Sequence, residues 1–201
     1  ALTAKVSATI DDPKNALAID GQANLNIPDL SPFSNLAKRD LAGAIRADVA
    51  GQGAVGSKAF DVKGNLAADD IKTGIDAVDD LIQGRTNLTV DAVNNDEGLN
   101  IRTFQLIGTT LSANASGKLD RNAGGLDFSA KLDDLARLSQ TLSGPLNLSG
   151  NVAPTSSGLE GTARLDGPDS SYASLQGTVE RDGSADVDFD AKLNQIERFV
   201  P

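Results

Sequence analysis

The feature that most constrains this chain is a period-two alternation of aliphatic and polar residues, sustained almost from end to end. Leu88, Val90 and Ala92 alternate with Asn87, Thr89 and Asp91, and Leu17, Ile19, Gly21, Ala23, Leu25 and Ile27 keep one parity through eleven residues. Side chains two apart on a strand share a face, so each such run predicts a strand with one dry and one wet side. The same pattern marks Val6 to Ile10, Ile45 to Val49, Phe60 to Leu66, Leu111 to Leu119, Leu126 to Leu132, Leu146 to Val152, Leu159 to Leu165, Leu175 to Val179 and Val187 to Leu193. Asp11-Asp-Pro-Lys-Asn15, Gly56-Ser-Lys58 and Arg121-Asn-Ala-Gly-Gly125 carry turn residues between runs. Short turns join antiparallel neighbours, which predicts a meander. The phase slips once, at Thr103-Phe104, where a bulge or a strand end is expected.

A second spacing interrupts the first. Ile75, Val78 and Leu81 lie three apart, the interval of one helix face, and Gly84 follows where a stop is expected. Ile27-x-x-Leu30-x-x-Phe33, Leu132-x-x-Leu135-x-x-Leu138 and Leu193-x-x-Ile196-x-x-Phe199 repeat that spacing, with starts at 27, 75, 132 and 193. Helical turns are therefore expected near 28–38, 74–82, 132–140 and 193–199, with Pro28 at the mouth of the first. A Leu-x-Gly or Ile-x-Gly step follows three of them, at Leu41-Ala-Gly43, Ile82-Gln-Gly84 and Leu142-Ser-Gly144. Asp76 and Asp133 come just after the first apolar residue of their stripes, where a capping or first-turn carboxylate is favoured. Repeats of this size suggest an array of similar units. The 201 residues are read as one continuous segment of a longer repetitive protein, since they begin at Ala1 and contain no Met.

Composition removes several function classes. Without His or Cys, no Ser-His, Cys-His or thiolate-metal constellation can be assembled. Neighbouring carboxylates such as Asp79-Asp80 do not face one another on a strand or a helix, so they form no acid–base pair by adjacency. No catalytic set and no cofactor site is expected. A net charge of −10 opposes binding to nucleic acid, which rests on neutralising phosphates. No apolar run approaches the roughly 20 residues that cross a bilayer as a helix. Asp186, Asp188 and Asp190 share one strand face and would suit a hard cation, but a solvated outer face is the more common use of such residues. Aromatic residues make up only 3% of the chain, which favours an extended aliphatic sheet over a compact globule.

A sheet with a dry face must cover it, by a second sheet, by closure into a barrel, or by a curled wall that stays open for an apolar ligand. The inward positions mix Leu and Val with Ala and Gly, which lowers the bulk that a packed interior would need.

Thr73-Gly-Ile-Asp with Asp80-Leu-Ile-Gln-Gly84, then Leu88-Thr-Val-Asp91 and Leu99-Asn-Ile-Arg-Thr-Phe-Gln-Leu106, resembles the repeats of the TamB family, in the AsmA-like group. Leu142-Ser-Gly-Pro-Leu-Asn-Leu-Ser-Gly150 and Ala130 to Leu138 fit the same style. The resemblance implies a long curled antiparallel sheet, a β-taco, with an aliphatic inner groove and short interspersed helices. It also implies a place in the periplasm as part of an inner-membrane-anchored protein, with a TamA-like outer-membrane barrel as partner through another part of that protein. The implied role is a non-enzymatic conduit for phospholipid acyl chains that supports outer-membrane assembly. The expected groove residues are Leu88, Val90, Leu99, Ile101, Leu111, Leu126, Phe128, Leu146, Leu148, Val152, Leu165, Val187 and Phe189. Two other readings fit the same alternation: a structural β-repeat stalk with a dry interior, and a chaperone that receives outer-membrane strands at its edge.

Overall fold

The computed structural model describes residues 2–11, 18–54, 59–120, 123–137 and 143–194. These form twelve strands: β1 (Thr3–Asp11), β2 (Ala18–Ile27), β3 (Ala42–Ala54), β4 (Phe60–Lys72), β5 (Arg85–Asn95), β6 (Gly98–Ile107), β7 (Leu111–Asp120), β8 (Gly124–Leu132), β9 (Leu146–Pro154), β10 (Gly158–Asp166), β11 (Tyr172–Glu180) and β12 (Ala185–Lys192). They make one antiparallel sheet in strict chain order, β1 to β12. Among the described residues β1 and β12 do not pair, so these twelve strands do not close into a barrel. It is the antiparallel meander that alternation and short turns predict, and of the three ways to cover a dry face it takes neither a second sheet nor a closed barrel among the described residues.

The sheet curls. In a flat sheet, strands two apart lie about 9.5 Å from each other, yet Cα atoms of β7 and β9 approach within 8 Å across β8. The phase slip is a bulge in β6: Asp91 pairs with Thr103 and Ala92 with Ile101, leaving Arg102 as the extra residue. The bulge restores the phase, so Ile101 and Phe104 stay on one face.

Among the described residues, helical turns sit only where an even strand passes to the next odd one. Ser31–Phe33 and helix α1 (Ser34–Ala37) follow β2, helix α2 (Asp76–Leu81) follows β4, Leu135–Arg137 follows β8, and Pro168–Ser170 follows β10. All therefore lie at one end of the sheet. The first two match the expected turns, although Pro32 rather than Pro28 occupies the start of the helical segment. In the third, Leu132 belongs to β8, paired with Leu111 and Leu146, and the helical turn covers only 135–137, with 138–140 outside the described residues. The fourth expected turn lies almost wholly beyond residue 194. The turn at Pro168–Ser170 has no apolar stripe and was not anticipated. The glycines of the three Leu/Ile-x-Gly steps, Gly43, Gly84 and Gly144, have φ of +95°, +79° and +102°, conformations that side-chain-bearing residues rarely adopt.

Little of the chain is enclosed. Among the described residues, the buried apolar ones are Ala68, Ala92, Leu132 and Leu135, and no large side chain is fully buried. The molecule exposes 12742 Å², against about 8,900 Å² for a compact monomer of 20.7 kDa. Among the described residues, no second layer covers the sheet.

A continuous uncharged face as the candidate functional site

Strand register turns the alternation into a surface. Residues opposite one another in an antiparallel pair share a face, so cross-strand rows can be followed from edge to edge. The middle row runs Val6, Ala23, Val49, Gly64, Val90, Phe104, Ala115, Phe128, Gly150, Ala163, Leu175, Phe189. The row on its hairpin side runs from Ala8 to Val187 and includes Ile101, Leu126 and Val152. The row on its helical side runs from Ala4 to Ala191 and includes Leu88, Leu148 and Leu165. Every position in these three rows is aliphatic, Phe or Gly, and none is charged. With eleven strand spacings, each row is about 50 Å long.

All thirteen expected groove residues lie on this face. Ten fall in the three rows; Leu111 and Leu146 flank Leu132 on the helical side, and Leu99 lies beyond the rows on the hairpin side. The expected set begins at β5, whereas the face continues through Leu66, Val49 and Leu25 to β1. Phe104 and Leu106 also belong to it, on the far side of the bulge. The alternation that marks the thirteen marks these as well.

The apolar face is the sheltered one. Ala113, Ala115 and Ala130 are half-buried, while Ser116, Ser129 and Ser149, of similar size on the opposite face, are exposed. Shelter falls away at the edges, where Val6 is 77% exposed and Phe189 is 69% exposed. Phe128 lies over Gly150, whose missing Cβ leaves room for its ring.

Charge is confined to the other face. Arg46 and Arg85 both approach Asp69, at 3.7 and 3.1 Å, joining β3, β4 and β5. Arg102, aimed by the bulge, pairs with Asp91 and lies 3.6 Å from Asp61, and the Asp91 contact raises its pKa. Lys63 lies 3.7 Å from Asp91. These exposed pairs align strands without contributing much stability. Asp186, Asp188 and Asp190 project from the same polar face of β12, and Asp190 accepts a hydrogen bond from Tyr172 Oη at 2.8 Å. No cluster of potential metal ligands forms among the described residues.

The helical connectors link laterally into a rim at one end of the face. Arg137 donates to the Asp80 carbonyl at 3.4 Å and to Gln83 Oε1 at 3.3 Å, which ties the third connector to the second. Between them, Thr110 Oγ1 donates to the Leu81 carbonyl at 2.6 Å, and the Asp133 N–H donates to the Thr110 carbonyl at 2.9 Å. Asp76 lies in the first turn of α2, as expected, together with Asp79, but the carboxylates that accept backbone hydrogen bonds are Asp79 and Asp134. Asp79 accepts from the N–H and hydroxyl of Thr73 and the N–H of Gly74; Asp134 accepts from the N–H groups of Ala136 and Gly144. Those hydrogen bonds hold both carboxyls below the ordinary range.

No protein-family model, curated protein or solved structure matches the chain. Function must therefore be argued from the surface itself.

Proposed function

We propose that the uncharged face holds the acyl chains of phospholipids and that the protein is a non-enzymatic periplasmic conduit between the two membranes of a Gram-negative cell envelope. One observation carries the reading: three unbroken apolar rows cross all twelve strands, and no second layer of the described residues covers them. Such a surface gains by burying methylene groups, and chains lying along the rows would meet no charge from β1 to β12. The small residues in the rows keep the wall low enough for a chain to lie in it. The resemblance of the sequence to TamB-family repeats supports the same reading and suggests a TamA-like outer-membrane barrel as partner through another part of the full protein.

Each fully buried methylene contributes about 0.8 kcal/mol, so affinity should rise up to about fourfold per added CH₂, with little headgroup dependence. Val90 sits in the middle row, and an arginine there would place a charge across the path. The test is native mass spectrometry of the protein with phosphatidylethanolamine or phosphatidylglycerol supplied in mixed micelles. Lipid adducts are expected on the native chain, with few on folded Val90→Arg. A clean mass for the native chain, or equal uptake by the variant, would overturn the proposal and leave the sheet as a structural spacer.

A further inference from the structure

The bulk of the inward side chains changes most abruptly near the middle of the sheet. Among the described strands, β6 alone has no Gly or Ala at its inward positions, which are Leu99, Ile101, Phe104 and Leu106. Register sets three of these against the longest run of small inward residues: Ile101 opposite Gly117, Phe104 opposite Ala115 and Leu106 opposite Ala113. On the other side of β7, Leu126 and Phe128 stand opposite Gly117 and Ala115. Leu111 and Leu119, the next inward residues of β7 itself, close the two ends. The result is a notch along β7. Its floor runs about 14 Å from Ala113 to Gly117, between walls two strands, or about 9.5 Å, apart.

The notch is open and built. Ala113, Ala115 and Gly117 are only half-buried although the bulkiest strand stands beside them. Ala92, opposite Ile101 on the far side of β6, is by contrast 7% exposed. The Phe128 ring lies over Gly150 in β9, away from β7. On the outer face the β6 bulge aims Arg102 at Asp91 in β5 and, at 3.6 Å, at Asp61 in β4, which pins the first wall. The floor cannot rise at Gly117, whose φ is +138° and where a Cβ would collide with the Gly125 carbonyl oxygen.

Elsewhere on a single-layer sheet an alkyl chain touches protein on one side, whereas in the notch it meets floor and two walls and gains dispersion contacts on three. A peptide strand laid there would bury N–H and C=O groups against side chains that offer them no partner. We infer that the β7 notch is the tightest seat on the face for a single acyl chain, held lengthwise along β7 between Phe104 and Phe128. This rests on the reading of the face as a lipid-holding surface and adds where, and in which direction, the first chain binds.

Ala115→Leu fills the middle of the notch without changing charge. In titrations with phosphatidylethanolamine in mixed micelles, read by native mass spectrometry, it should weaken lipid uptake about tenfold, the equivalent of losing roughly two buried methylenes. Ala163→Leu, at a small position of the same row outside the notch, should leave uptake unchanged. Circular dichroism melts of both variants check that they fold. The unaltered sequence supplies a second measurement that holds even if Ala115→Leu does not fold. Phosphatidylethanolamine carrying a diazirine in its acyl chain, photolysed and mapped by peptide mass spectrometry, should label chiefly β6, β7 and β8. Equal weakening by the two folded variants, or label spread evenly over the twelve strands, overturns the seat and leaves the lipid-holding face standing. A native chain that takes up no lipid overturns both.

Discussion

At Gly150 a single missing atom shapes the surface: a Cβ there would collide with Phe128 Cζ and with the Thr162 carbonyl oxygen. Gly150→Ala should therefore destabilise the protein by about 1–3 kcal/mol, read as a lower urea midpoint, because both ring and backbone must shift. Gly53, in the same sheet, offers the contrast. Its nearest neighbour to a new Cβ would be the Ala59 carbonyl at 3.4 Å, so Gly53→Ala should stabilise by about 0.5–1 kcal/mol through lower unfolded-chain entropy. Sequence parity places both glycines on the apolar face but does not separate them. Each faces a phenylalanine across a strand pair, Phe60 for Gly53 and Phe128 for Gly150; what distinguishes them is that the Phe128 ring and the Thr162 carbonyl lie over Gly150 while the Phe60 ring turns away from Gly53, which follows only from folding. Arg102 is a similar case: the phase slip beside it is legible, but its reach to Asp61 two strands away follows only from folding.

Among the elements, the connectors show how local pattern yields to tertiary pairing. The spacing of Leu132, Leu135 and Leu138 reads as one helical face, yet Leu132 stays in β8 because Leu111 and Leu146 flank it on both sides. A strand neighbour offers that residue more burial than one turn of helix would. The glycine steps were legible because the positive φ of Gly43, Gly84 and Gly144 is a backbone demand that one residue type meets best. Asp76 in the first turn of α2 was legible, but the carboxylates that hold the connectors were not. Asp79 reaches back six positions to Thr73, a loop closure that no helical stripe encodes. A pH dependence follows from these caps. The carboxyls of Asp29, Asp79 and Asp134 sit below their ordinary value of 3.8 in the folded chain, chiefly through hydrogen bonds from backbone N–H groups. Their contribution is thus present above that value and is lost as pH falls through and below it. Amide exchange at Thr73, Gly74, Ala136 and Gly144 should speed up below about pH 4 relative to the central strands, and Asp79→Asn should abolish the acid response at Thr73 and Gly74 alone.

On the scale of the whole molecule, each strand pairs only with its sequence neighbours. Stability then accumulates pair by pair, as in repeat proteins. Among the described residues β1 and β12 each pair on one side only, so hydrogen exchange of the 201-residue chain should be slowest in β5 to β9 and fastest in β1 and β12. The antiparallel meander was legible from the alternation and the short turns, which left a second sheet, a barrel and an open wall as alternatives. The curled open sheet was expected only from the resemblance to TamB-family repeats, because period two fixes which face is dry but not how far the sheet bends, and the close approach of β7 to β9 has no counterpart in spacing.

Strict chain order has a metrical consequence. Twelve strands use 201 residues, and each advances the sheet by about 4.8 Å, so the molecule converts sequence into distance at a nearly constant rate of about 3.5 residues per Å. Removing a pair of strands would shorten it by about 10 Å and restore the original chain direction. Such a sheet is a measuring rod as much as a surface: its width is written in the number of its hairpins.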